Sequence, residues 1–159
     1  MKYIEGKQAW LSMSNYRSLL DPIILSTVPH YLVVLLFIYN RKNYIRPVYY
    51  LGYTVTIAVS STLSIMWHRN HEHKNWVFYA DYLFAIIWTI YDIVGALLYS
   101  TNKYINIVVI LNLSVCLINL LVDLLDKQKI ISYKYGHTFW HIISIIKSIY
   151  VVYIIGYKI

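Results

Sequence analysis

Five long apolar runs separated by short polar connectors constrain this chain more than any other feature of its sequence. A bilayer core about 30 Å thick takes roughly 20 mostly apolar residues at about 1.5 Å of helical rise each. On that ruler, spans are expected at approximately residues 22–39, 47–68, 77–99, 105–125 and 136–158, joined by NRKNYIR, RNHEHKNW, STNKY and DKQKIISYKY. Backbone polar groups cannot stay unpaired in lipid, and the runs lack the alternating period of barrel strands, so each is expected to be helical. The expected fold is all-α: a polytopic membrane helix bundle of five transmembrane helices, forming one integral-membrane domain over residues 1–159. At 59% hydrophobic and 13% charged, the composition excludes an ordinary soluble domain. Tyr49, Tyr50, Trp67, Trp76, Tyr79, Tyr133 and Trp140 crowd the ends of the runs, where interfacial anchors belong.

The first 21 residues lack the uninterrupted apolar stretch and small-residue cleavage site of a secretory signal, and read as part of the mature protein. Trp10, Met13, Tyr16 and Leu20 fall at near-helical spacing, which fits a short helix lying in the interface; a loose tail fits as well.

The net charge of +7 comes from Lys and Arg in the connectors, with no basic block alternating with aromatics. It therefore reads as membrane topology, and no nucleic-acid partner is expected. Lys2, Lys7, Arg17, Arg69, Lys74, Lys127, Lys129 and Lys134 make eight positive residues on the N-terminal side, against five on the other at Arg41, Lys42, Arg46, Lys103 and Lys158. The positive-inside rule then places the N-terminus in the cytoplasm. Cys116 is the only cysteine, which excludes an internal disulfide or a Cys-rich metal site.

Ionisable side chains are costly within membrane spans and usually face a bundle interior, a cavity or one another. Ser64 and His68 close the second span four residues apart, Asp81 opens the third, and His137 and His141 open the fifth, again four apart. Residues at that spacing share a helix face. Helices alternate direction, so these five groups belong to one membrane side, the side of the N-terminus. Three imidazoles with an open fourth position suit catalytic Zn²⁺, and the chemistry that follows is hydrolysis. Asp81 is placed to take a proton from water or to orient a histidine, and Ser64 to donate a hydrogen bond to a forming oxyanion. HTFWH has no Glu beside its first His, which argues against an H-E-x-x-H metalloprotease.

The ordered set Ser64, His68, Asp81, His137, His141 resembles the CREST superfamily of membrane proteins, which includes alkaline ceramidases, progestin and adipoQ receptors, hemolysin III proteins and Per1-like proteins. The resemblance implies three zinc-binding histidines with a nearby Asp and Ser, and a hydrolase in the membrane acting on lipid amides or esters. Its motifs lie on spans two, three and five. Members usually have seven spans, whereas His68 and His137 are only 69 positions apart (137 − 68), enough for two intervening helices and not four. Removing two helices preserves the side from which the last one starts; a homo-oligomer or a shallower pocket would compensate for the missing wall. Trp67 stands where relatives often carry Tyr. No acidic N-terminal motif like the calcium site of alkaline ceramidases is present, Glu5 and Asp21 being the only acids there.

A second polar layer is expected deeper in the bundle. Asp92 follows Asp81 by eleven residues, about 20° away in rotation and about 16 Å in depth, and Lys147 lies about 12 Å below the histidine pair. A buried structural ion pair between Asp92 and Lys147 follows. In span four, Asn112, Cys116, Asn119 and Asp123 share a stripe that reads as interhelical hydrogen bonding or substrate contact, and Asp123, nearest the metal end, is a candidate to support a ligand histidine from behind. His30, after Pro29, reads as a packing histidine at a kink, and His71 and His73 as solvated loop residues.

The expectation is a five-helix, zinc-dependent lipid hydrolase of ceramidase-like type, holding Zn²⁺ on His68, His137 and His141, with a membrane lipid entering from the bilayer. Two other readings remain open: a non-catalytic, zinc-stabilised receptor or membrane-remodelling protein, and a small transporter using Asp92, Lys147 and the span-four amides.

Overall fold

The computed structural model describes residues 16–40, 47–99, 102–130 and 132–156. Its elements are α1 (Pro22–Leu25), α2 (His30–Asn40), α3 (Pro47–Arg69), α4 (Trp76–Tyr99), α5 (Asn102–Lys127) and α6 (Tyr133–Gly156), and no strand occurs among the described residues. The chain is an all-α membrane helix bundle. Segments 22–39, 48–69, 76–99 and 104–127 are each long and apolar enough to cross a bilayer. The remaining helix, α6, is of equal length, 24 residues, but carries both histidines and Lys147. It packs against α1, α2, α4 and α5, so its polar groups are enclosed by its neighbours.

The first span differs from the single helix expected over 22–39. Asp21 caps α1, its carboxylate accepting from the Ile23 N–H at 3.1 Å, and Pro22 at the first helical position gives up no needed donor. Regular helix then stops until His30. Pro29 has no N–H, and bonds reaching back only three residues take over, from Thr27 N to Ile24 O (3.0 Å), His30 N to Thr27 O (3.2 Å) and Leu32 N to Pro29 O (3.0 Å). Side chains satisfy carbonyls around the break: Ser26 Oγ and Thr27 Oγ1 donate to Ile23 O at 2.9 and 3.1 Å, and His30 Nδ1 donates to Thr27 O at 2.9 Å. Irregular backbone at membrane depth needs its polar groups satisfied within the protein; Ile23, Ile24, Thr27 and His30 turn inward and are buried, while Leu25 and Val28 are exposed on the outer side of the break.

Helices α3 and α4 approach closely at glycines. A Cβ on Gly52 would stand 2.5 Å from the Tyr91 hydroxyl, and one on Gly95 would stand 2.8 Å from that of Tyr49. At that end Tyr50, Tyr53, Ile57, Val33, Phe37, Trp88 and Val151 form the apolar core, while Leu63, Trp67 and Val77 form a smaller cluster near the other end. The periphery is apolar too: Leu35, Leu83, Ile86, Leu113, Leu117 and Ile146 are all more than half exposed. A greasy surface around a polar interior is stable in lipid and a liability in water.

Connectors are anchored by their own side chains. Asn75 Oδ1 accepts from the N–H groups of Val77 (2.9 Å) and Phe78 (3.3 Å) to start α4. Asp126 reaches forward from α5 to the Tyr133 N–H at 2.7 Å, so α6 begins at Tyr133, three residues before the expected 136. Within the expected interfacial segment, Trp10 and Met13 lie outside the described residues, and Tyr16 to Asp21 is not helical. Lys2, Lys7, Arg41, Lys42, Arg46 and Lys158 of the charge count, and the expected end of the last span at 158, also lie outside the described residues.

Candidate metal centre

His68 comes from the last turn of α3, and His137 and His141 from the first two turns of α6. All three are buried, at 0, 4 and 2% exposure, and one ligand nitrogen from each lies within 4.8 Å of the others. The Nε2 atoms of His68 and His141 are 3.3 Å apart. Zn–N bonds of 2.0–2.1 Å at tetrahedral angles give an N···N separation of about 3.3 Å. The ring of His137 lies between Tyr133 and Trp140, stacked within 20° on each at centroid distances of 4.9 and 5.1 Å. Trp140 is fixed in turn by its indole N–H, which donates to Val115 O at 3.0 Å.

The far nitrogen of His68 identifies its tautomer. Nδ1 lies 3.0 Å from Glu72 Oε1, and an ionised carboxylate only accepts, so the proton sits on Nδ1 and the Nε2 lone pair faces His141. Glu72 also takes both prongs of Arg17, Nη1 on Oε1 and Nη2 on Oε2, the latter at 2.9 Å. Burial raises the Glu72 carboxyl pKa, but the hydrogen bonds from His68 and Arg17 outweigh it and hold the group below the usual range. Beside it, Asp21 joins Lys134 at 2.9 Å and Arg17 at 3.8 Å, so ion pairs tie the approach to α1, the α3–α4 connector and the start of α6. Three imidazoles, one with a carboxylate behind it, fit a zinc ion in donor type and spacing.

A cavity of about 420 Å³ adjoins the histidines. His137, His141, Ser64 and Asp81 line it at one end and Lys147 at the other. Ser64 and Asp81 are buried; the contact of Asp81 is with Ser60, whose hydroxyl donates to Oδ1 at a long 3.5 Å. Ile86 and Ile90 of α4 and Leu120 of α5 line the cavity and are each more than half exposed, so its wall on that side reaches the apolar surface of the bundle.

Lys147 Nζ stands 2.6 Å from Asp92 Oδ2 and 3.1 Å from Asn112 Oδ1, with the Trp88 ring centre at 4.6 Å. Tyr53 donates to the other Asp92 oxygen at 2.7 Å and accepts from the Trp88 indole at 3.1 Å. Each charged atom in this layer has a partner. Cys116 and Asn119 of α5 line the cavity, whereas Asp123 is exposed and outside its lining. The carboxylate found behind a histidine is Glu72. His71 and His73 are exposed.

Sequence reasoning passed over Glu72, Arg17, Thr27 and Ser60 as site residues, and read His30 first as a hydrogen-bonded packing histidine and second as one that the Pro29 kink exposes to the cavity. Thr27 Oγ1 lies 3.3 Å from His141 Nε2, and His30, which donates through Nδ1 to Thr27 O, keeps a buried Nε2 without a partner against the cavity. Glu72 had a readable signal, since it follows His68 by four residues, the spacing that singled out the other pairs. Comparison with family models, with curated proteins and with solved structures found no match for this chain.

Proposed function

We propose that this protein is a membrane-embedded, zinc-dependent hydrolase of lipid amide or ester bonds, a shortened protein of the CREST type. The observation that carries the reading is the convergence of three buried imidazoles from helices 69 positions apart, with ligand atoms within 4.8 Å of one another, beside a cavity holding Asp81 and Ser64. His68, His137 and His141 hold the ion. Bound there, Zn²⁺ supplies Lewis acidity and an acidified water at neutral pH. Asp81 accepts a proton from the attacking water at a carboxylate oxygen, and the Ser64 hydroxyl donates to the substrate carbonyl oxygen as that atom gains charge. The cavity wall of Ile86, Ile90 and Leu120 admits an acyl chain from the bilayer, and its apolar side chains keep bulk water out.

The deeper layer supports a scaffold role, because Asp92 and Lys147 are closed on each other and on Tyr53 and Asn112, unlike a chain of groups leading across the bundle. The excess of Lys and Arg at the N-terminal end supports a cytoplasmic N-terminus and metal end. Metal analysis of detergent-purified protein tests the reading: about one zinc per chain is expected, falling to background when His137→Ala and His141→Ala are combined. A screen of ceramides, acyl esters and phospholipids then separates the enzyme from a zinc-stabilised receptor. Turnover that disappears in Asp81→Ala with zinc retained is the enzymatic outcome; zinc without turnover of any of these lipids favours the receptor.

A further inference from the structure

Of the three histidines, His68 is the one whose Nδ1 is met by another side chain among the described residues. Nδ1 of His137 and Nδ1 of His141 are buried without a hydrogen-bond partner, whereas Nδ1 of His68 donates to Glu72 at 3.0 Å. The chain takes an unusual course to make that contact. After α3 ends, His71 and Glu72 both enter the left-handed region, at φ 52° and 57°, without being glycine. The turn is held by Glu72 N donating to Trp67 O at 3.1 Å and His71 N donating to His68 O at 3.2 Å, and it folds the Glu72 side chain back over the last turn of α3. An exposed connector has no need of two disfavoured residues in sequence; a connector that must return a carboxylate to the imidazole four residues behind it does.

Arg17 then locks the carboxylate. Its guanidinium engages both Glu72 oxygens, and its backbone N–H donates to Arg69 O at 2.9 Å, so it is fixed by main chain and side chain together. Forked pairing of this kind sets the plane of the carboxylate as well as its position. The order from the outside inwards is Arg17, Glu72, His68, and then the point shared with His137 and His141.

We propose that Glu72 is a positioning residue for the metal centre: it holds His68 in the tautomer and ring orientation that present Nε2 to the cation, and Arg17 fixes Glu72. The assignment rests on reading the three histidines as a metal centre. Carboxylates behind ligand histidines raise ligand basicity, and their loss weakens metal affinity by about 10- to 100-fold. The segment before α1 is thereby coupled to metal occupancy, although none of its described residues is a ligand.

The test is zinc affinity, measured by chelator competition on the full chain in detergent. Glu72→Ala is expected to weaken binding about 10- to 100-fold. Glu72→Gln should fall between it and the wild type, because an amide oxygen still accepts from Nδ1–H without the charge. Arg17→Gln should weaken binding by less than Glu72→Ala does. A second readout separates positioning from support of the fold. If Glu72 only braced the connector, its removal would lower the thermal midpoints of the zinc-free and zinc-loaded proteins equally; positioning predicts a larger drop for the loaded form. Both Glu72 variants binding zinc within threefold of the wild type would overturn the assignment, as would equal drops in the two midpoints. A wild type that takes up no zinc would overturn the metal centre itself, and this inference with it; zinc lost on histidine replacement but unaffected at Glu72 would overturn the inference alone.

Discussion

The Nε2 atoms of His68 and His141 face each other at 3.3 Å across 73 residues of sequence. Since His68 carries its proton on Nδ1, its inward nitrogen is a lone pair. The spacing matches one edge of a tetrahedral zinc site, and His137 brings a third imidazole to the same point.

Zinc removal should destabilise the fold, because the three histidines gather only when the bundle brings the end of α3 to the start of α6. Ligand that binds the folded state alone stabilises by about 2.7 kcal/mol at a free concentration of 100 Kd. Chelation is therefore expected to lower the melting temperature, and added Zn²⁺ to restore it in wild type but not in the His137→Ala, His141→Ala double variant. Scanning fluorimetry in detergent reads this directly.

Breaking the deep ion pair should cost more than deleting it. Asp92→Asn or Lys147→Met alone leaves one buried charge uncompensated, a loss of about 3–5 kcal/mol, and the double change should recover much of that. Denaturant unfolding of the four proteins, treated as a double-mutant cycle, measures the coupling. Additive losses would mean that the 2.6 Å contact contributes no coupling.

The start of α6 depends on Gly136. A Cβ there would stand 2.8 Å from both γ-carbons of Val122. Gly136→Ala is expected to destabilise by about 1–3 kcal/mol through overpacking, and Val122→Ala in the same chain should return most of it. No rescue would place the cost elsewhere, in the backbone of α6.

Acid should weaken the metal end in a specific range. Burial raises the Asp21 carboxyl pKa, but the Lys134 and Ile23 hydrogen bonds, with the charges of Lys134 and Arg17, outweigh it and leave the group below its ordinary value. A depressed carboxyl contributes stability that is complete above the ordinary Asp value, near 3.9, and lost as pH falls through the folded-state value. Asp21→Asn should therefore be less stable than wild type at neutral pH and converge with it as acid protonates the folded-state carboxyl. A gap that stays constant throughout acid titration of the folded protein would exclude this linkage.

Asp81→Asn should keep zinc and lose about 10²- to 10⁴-fold in kcat on whichever lipid is turned over, the range of a missing general base. Unchanged kcat would remove Asp81 from the proton transfer.

The all-helical fold and the approximate placement of the apolar runs were readable from length and greasiness, because a bilayer sets a ruler that sequence must meet; the break that splits the first run into α1 and α2 was not. The convergence of His68, His137 and His141 was readable from alternating direction and the four-residue repeat. Rotation of one helix within the bundle was not. Asp123 shares a stripe with Asn112, and Asn112 is buried, yet Asp123 is exposed; a stripe fixes residues relative to their own axis and leaves its outer turns free to diverge from the interior. Glu72 escaped notice because it sits past the end of α3 among polar neighbours, and only a left-handed turn returns it. Thr27 escaped because a hydroxyl in an apolar run looks like ordinary back-bonding until the helix around it stops.

The interruption at residues 26–29 gives the two halves of the first span separate registers. In an uninterrupted helix, inserting or deleting one residue rotates everything beyond it by about 100°. Here such a change in α2 would turn its own lipid-facing side while Asp21 and Ile23 kept their bearings on α3 and α6. The gap insulates the three-histidine end from drift in the greasier half of the same span.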